Sequence, residues 1–182
     1  MDFLRTTVDL LSNENRVLFS SIILLTVVVI ISIAFNSITN KYLKDDVKDF
    51  QSRLWYSNPD VDRVIDRYEN TNGVNTYVTA LVTLDLILPI AYSLLFSIIL
   101  TVELTHFKNS LYFPRDMRLL PLFLILVDWS ENIAIIILIK QHQRLKSEMV
   151  KVASALTTAK WIGISLTIIL IIAIPVVDKL KF

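Results

Sequence analysis

An all-α fold, a polytopic four-helix transmembrane bundle with amphipathic helices in its first loop, is what three features of this sequence predict. More than half of its 182 residues are hydrophobic (54%), far above a soluble average, and only two are glycine. The apolar residues gather into four runs, at about 17–35, 76–103, 119–139 and 152–177. Each run is long enough to span, because a helix rising 1.5 Å per residue needs about 20 residues to cross a hydrocarbon core of about 30 Å.

The first run, VLFSSIILLTVVVIISIAF, is longer than the apolar segment of a signal peptide, and no small-x-small cleavage site follows it. It reads as a retained span, with Ser20, Ser21, Thr26 and Ser32 interspersed. The loop after it is patterned. Leu43, Val47, Phe50 and Leu54 recur at helical spacing with Lys44, Asp45, Lys48 and Asp49 between them, which predicts an amphipathic helix. A second helix is expected from the capping pair Asn58-Pro59 to about 70–73, with Val61, Val64, Ile65 and Tyr68 on one face. These two helices lie on the membrane surface or form a small cap on the bundle, and Trp55 and Tyr56 between them suit the interface.

After the second run, FKNSLYFPRDMR reads as a short connector with interfacial aromatics. The third loop carries Lys140, Arg144, Lys146 and Lys151, suited to anionic headgroups. Four spans put both termini on one side. Ten Lys and Arg fall in loops one and three against seven in the termini and loop two, so the positive-inside rule places loops one and three in the cytoplasm or its organellar equivalent.

Several functions are excluded or disfavoured. The absence of cysteine rules out disulfides and thiolate metal sites. A net charge of +1 without a basic-aromatic cluster gives no nucleic-acid footprint. No glycine-rich phosphate loop, H-E-x-x-H or G-x-S-x-G occurs, and His106 and His142 fall in loops on opposite sides, so neither a metal nor another cofactor is expected.

The chemistry is concentrated in the spans, where Asp85, Asp128, Glu131 and Lys160 interrupt apolar sequence. A charge at the bilayer centre costs at least about 2.5–3.5 kcal/mol, so such residues face a bundle interior and mark candidate sites. Counted from the side of loops one and three, all four lie about 12–16 Å deep and can meet in one layer. Asp85, Pro89 and Tyr92 share a face, as do Asp128 and Glu131 with Asn132 beside them, and Ser154, Thr157, Lys160 and Trp161 form a stripe. Pro89 cannot donate to the carbonyl of Asp85, leaving that oxygen open as an acceptor. Three carboxylates against one ammonium leave a net charge of minus two, which a proton, a cation or an amine ligand would balance. Asp85 with Lys160 is the expected structural ion pair. Asp128 and Glu131, with Asn132 and Tyr92, are the expected ligand- or proton-binding group. Interhelical hydrogen bonding alone explains a polar residue or two, but not this many. Trp129 and Trp161 read as packing or lipid-facing residues.

The motifs D-x3-P-x2-Y (Asp85, Pro89, Tyr92), D-x2-E-N (Asp128, Glu131, Asn132) and the lysine Lys160 resemble those of a group of small four-span membrane proteins, from about residue 58 to the end of span four. That resemblance supports the choice of residues and implies no reaction. In architecture and charge the chain is also similar to the EXPERA group of four- or five-span bundles, which use intramembrane carboxylates to hold an amine or a carbocation; here span one carries no acidic residue. Three functions follow as expectations. The first is binding or transport of a proton, cation or amine-bearing lipophile among membrane lipids, with a cavity between spans two, three and four. The second is an accessory role beside partner membrane subunits, and the third is acid-base catalysis on a lipid. The last is disfavoured because no histidine, cysteine or metal cluster lies in the spans.

Overall fold

The computed structural model describes residues 2–13, 15–43, 47–106, 114–141 and 146–179. Six α-helices make up its frame: α1 (Asp2–Leu11), α2 (Val17–Leu43), α3 (Asn58–Asn70), α4 (Val74–His106), α5 (Phe123–Lys140) and α6 (Lys146–Lys179). Four of them, α2, α4, α5 and α6, are long and apolar enough to cross a membrane, so the protein is an integral, multi-pass four-span bundle. Each outruns the apolar core read from sequence. The third span is the exception at its start, because residues 115–122 form a 3-10 helix containing Pro121 and the α-helix begins only at Phe123.

Helix α4 is the hub, packing against α2, α5, α6, α1 and the 3-10 segment, whereas α2 and α6 barely touch one another. Large apolar side chains cover the outside of the spans, among them Phe19, Ile33, Ile87, Leu126, Ile162 and Ile172. In lipid such a surface is satisfied without a protein partner. The largest core lies at the first-loop end, where Phe50, Tyr56, Val64, Ile65 and Tyr68 pack with Tyr77 and Leu81 of α4 and Ile135 and Leu138 of α5. On α5 and α6, Gly163 lies directly against Leu124, so any larger residue there would collide with that side chain.

Helix α3 begins at Asn58, as expected, but its cap lies one residue earlier. Ser57 is the N-cap, Pro59 stands in the first turn, and the Ser57 backbone N–H and hydroxyl donate to Asp60 at 2.9 and 2.7 Å. Its face of Val61, Val64, Ile65 and Tyr68 is fully buried, which makes α3 a cap on the bundle.

The helix expected through Val47, Phe50 and Leu54 is absent. Residues 47–57 instead form an irregular strap with a single 3-10 turn at Phe50–Ser52, while Lys44 and Asp45 lie outside the described residues. The backbone groups of the strap find partners on α6: the Tyr56 N–H donates to Ser154 Oγ (3.0 Å), and the carbonyls of Gln51 and Leu54 accept from Trp161 and Thr158. Those bonds replace the helical ones, and they bury Phe50 and Tyr56 while leaving Leu54 66% exposed. Tyr56 is therefore a core residue, and only Trp55 remains at the surface. Helix α1, which hydropathy alone does not reveal, is fixed by ion pairs from Arg5 to Asp116 (2.9 Å) and from Arg118 to Asp9, over the buried Val8. His142, Arg144 and the connector 107–113 lie outside the described residues, as do the side chains of His106 and Lys146.

Candidate functional site

The four intramembrane charges meet. Asp85 on α4, Asp128 and Glu131 on α5 and Lys160 on α6 are 1%, 2%, 0% and 5% exposed. Helix α5 supplies two of them because Asp128 and Glu131 stand one turn apart on its inward face. Lys160 on the adjacent α6 forms a short ion pair with Glu131 and reaches Asp128 Oδ2 at 3.9 Å.

This corrects the pairing expected from sequence, in which Asp85 held Lys160. The close packing of α5 on α6 puts both α5 carboxylates within reach of one ammonium. Asp85, on α4, instead accepts a short hydrogen bond from the Gln51 side chain of the strap. The division of roles shifts accordingly. Glu131 is fully enclosed, with Oε1 accepting from Thr157 Oγ1 (2.6 Å) and Oε2 facing Lys160, so it serves the structural ion pair.

Asp128 Oδ2 accepts from the Tyr92 hydroxyl (2.7 Å), whereas Asp128 Oδ1 is buried with no hydrogen-bond partner among the described residues. Asn132 acts as a cross-link. Its Nδ2 donates to the backbone carbonyl of Asp85 (3.2 Å), the oxygen that Pro89 leaves open, and its Oδ1 accepts from Gln51 Nε2 (3.3 Å). The two tryptophans have polar tasks as well, Trp129 Nε1 donating to the Leu86 carbonyl (3.1 Å) and Trp161 Nε1 to that of Gln51 (3.2 Å).

A cavity of about 220 Å³ opens beside the cluster, lined by Gln51, Asp85, Tyr92, Asp128, Lys160 and Trp161, with Val28 and Ser32 of α2 opposite. It lies where α2 and α6 fail to close on each other. Sequence reasoning identified Asp85, Tyr92, Asp128 and Lys160 of this lining, but it read Trp161 as a packing or lipid-facing residue, did not single out Leu88, Ile164 or the α2 residues, and missed Gln51. Nothing in local periodicity marks that glutamine, whose importance comes from the strap folding inward.

A fourth buried carboxylate, Asp49, reads from sequence only as a polar position of the expected loop helix. Asp49 accepts from the hydroxyls of Tyr77 (3.2 Å) and Tyr68 (3.5 Å), whose rings stack at 4.4 Å. Burial pushes its pKa up to about 6, opposed by the hydrogen bond from Tyr77.

Among the described residues no group of three or more acidic or histidine side chains is arranged to hold a metal ion. Comparison of the chain with protein-family models, with curated proteins and with solved structures finds no match.

Proposed function

We propose that this protein is a membrane-embedded binding protein for a small amphiphile bearing a cationic amine, seated in the 220 Å³ cavity with its ammonium between Asp85 and Asp128. The observation that carries this reading is the unpartnered Oδ1 of Asp128, buried at a cavity that also presents Asp85. Lys160 is engaged most closely by Glu131, so a negative excess remains on the two aspartates, and a buried carboxylate oxygen without a hydrogen-bond partner is costly in low dielectric. An ammonium offers both charge and N–H donors. The ligand reaches the site from the bilayer through the gap between α2 and α6, past Val28, Ser32 and Ile164, and its apolar part stays among the lipids. By the positive-inside count, the site lies nearer the cytoplasmic face.

Native mass spectrometry of protein extracted gently from its own membrane tests this. Wild type is expected to retain a small adduct, and Asp128→Asn to lose it while remaining folded. An adduct retained equally by the variant would reject the site. A second reading, an accessory subunit of a larger assembly, is favoured by an apolar groove of about 520 Å³ between α5 and α6, floored by Ala159 and Gly163. Small residues of that kind admit a neighbouring transmembrane helix. Co-purified membrane subunits without an adduct would select it.

A further inference from the structure

We propose that helix α1 is an interfacial lipid-binding helix, lying along the membrane at the second-loop face with its apolar side set among the acyl chains of that leaflet.

The residues of α1, DFLRTTVDLL, divide by helical angle. Phe3, Leu4, Thr7 and Leu10 fall on one side, Arg5, Thr6 and Asp9 on the other, and Val8 at a seam between them. Ten residues make a helix about 15 Å long, half of what crossing the hydrocarbon core requires. With a charged stripe opposite an apolar one, a helix of that length rests at the boundary between headgroups and acyl chains.

The bundle holds α1 by its seam and its charged side alone. Val8 is 0% exposed and packs on Leu119 and Leu122. Beside it Arg5 pairs with Asp116 (2.9 Å) and Asp9 with Arg118. The Asp9 and Asp116 side chains are nonetheless 50% and 64% exposed, which suits the headgroup level and not the hydrocarbon. The apolar side is left without protein cover, with Phe3 80%, Leu10 55% and Leu4 40% exposed. Its one polar group, the Thr7 hydroxyl, donates to the Phe3 carbonyl (2.9 Å), so this side needs no hydrogen bond from water.

Continuity with the outside of the spans identifies what covers it. Leu4 forms a groove of about 260 Å³ with Leu119, Leu122, Phe123, Ile125 and Leu126. Phe123 and Leu126, each 58% exposed, belong to the lipid-facing surface of the third span, so the side of α1 that carries Leu4 opens onto the same solvent. Every side chain lining the groove is apolar, and an acyl chain fills it without stranding a donor or acceptor. The amine cavity, beside the first-loop strap, plays no part in this placement.

Spin labels test it, since the absence of native cysteine allows single attachment at Phe3→Cys, Leu4→Cys, Leu10→Cys and, on the charged side, Thr6→Cys. In phosphatidylcholine vesicles, power saturation compares collision of each label with oxygen, which concentrates in lipid, and with a water-soluble nickel chelate. Labels replacing Phe3, Leu4 and Leu10 are expected to meet oxygen several times more often than nickel, and the label replacing Thr6 to reverse that ratio. Nickel in excess at Phe3 and Leu10 would put α1 in water and overturn the proposal. Exclusion of both reagents there would place a protein, such as a second copy of the chain, on this side and overturn it equally. Oxygen excluded at Leu4 alone would leave the groove without lipid, and one ratio at all four positions would remove the sidedness; either result rejects the placement. All four positions are exposed, so the variants should fold, and circular dichroism and elution profiles establish this independently.

Discussion

Lys160 and Glu131 illustrate how burial sets the stakes of a single side chain. Both are almost wholly enclosed, and removing one leaves the other charge without compensation. Lys160→Met is therefore expected to destabilise the bundle by about 3–5 kcal/mol. Replacing both by apolar residues of similar size, in Lys160→Met with Glu131→Leu, should recover most of that loss, since a buried pair adds little net stability over an apolar equivalent. Thermal unfolding in detergent checks this. Equal melting temperatures for the single and double variants would contradict the pairing, and disappearance of the Lys160→Met effect in an Asp85→Asn background would return the lysine to Asp85. The sequence marked these residues because charge within apolar runs is conspicuous. It did not reveal which carboxylate the lysine chooses, because that depends on the rotation of α5 and α6 about their axes.

The strap shows what happens when an element's local pattern loses to tertiary contacts. Its heptad-like spacing suggested a surface helix, yet its backbone is satisfied by Ser154, Thr158 and Trp161 of α6. Asp49 fixes its start, and the protonation of that carboxyl is linked to stability. The folded-state pKa of about 6 lies above the ordinary 3.8, so the folded chain binds the additional proton between those values. Stability from this group is therefore fully present below about pH 4 and is lost as pH rises through about 6, by roughly 1.4 kcal/mol per pH unit at most. Wild type should melt at a higher temperature at pH 5 than at pH 7.5, and Asp49→Asn should flatten that difference. A variant with the same pH dependence as wild type would remove Asp49 from this role. Local periodicity finds a half-buried helix well, as it did for α3. It does not find a strap whose partners are more than 90 residues away in sequence.

At the scale of the whole molecule, the parity of four spans predicts the cap and the third loop on one side and α1 on the other. Cysteine is absent from the natural chain, which makes labelling direct. Cysteines introduced as Glu69→Cys on α3 and Glu148→Cys at the start of α6 should react with a membrane-impermeant thiol reagent from the same side, and Asn13→Cys only from the other. Labelling of Asn13→Cys together with Glu69→Cys from one side of sealed, oriented vesicles would break the four-span parity. If the positive-inside count holds, the shared side is the cytoplasmic one.

The sequence by itself determined the fold class, the four spans and the meeting of Asp85, Asp128, Glu131 and Lys160 in one layer, because these follow from hydropathy and from a fixed rise per residue along each helix. It also implied that the Asp85 carbonyl is open, since Pro89 removes its donor, and Asn132 occupies that oxygen. Only the tertiary structure decided that Lys160 pairs with Glu131, that Gln51 descends onto Asp85, and that α2 and α6 part to leave a cavity. Those outcomes depend on how helices rotate and pack against one another, and on hydrogen bonds between residues distant along the chain, which no single helix encodes.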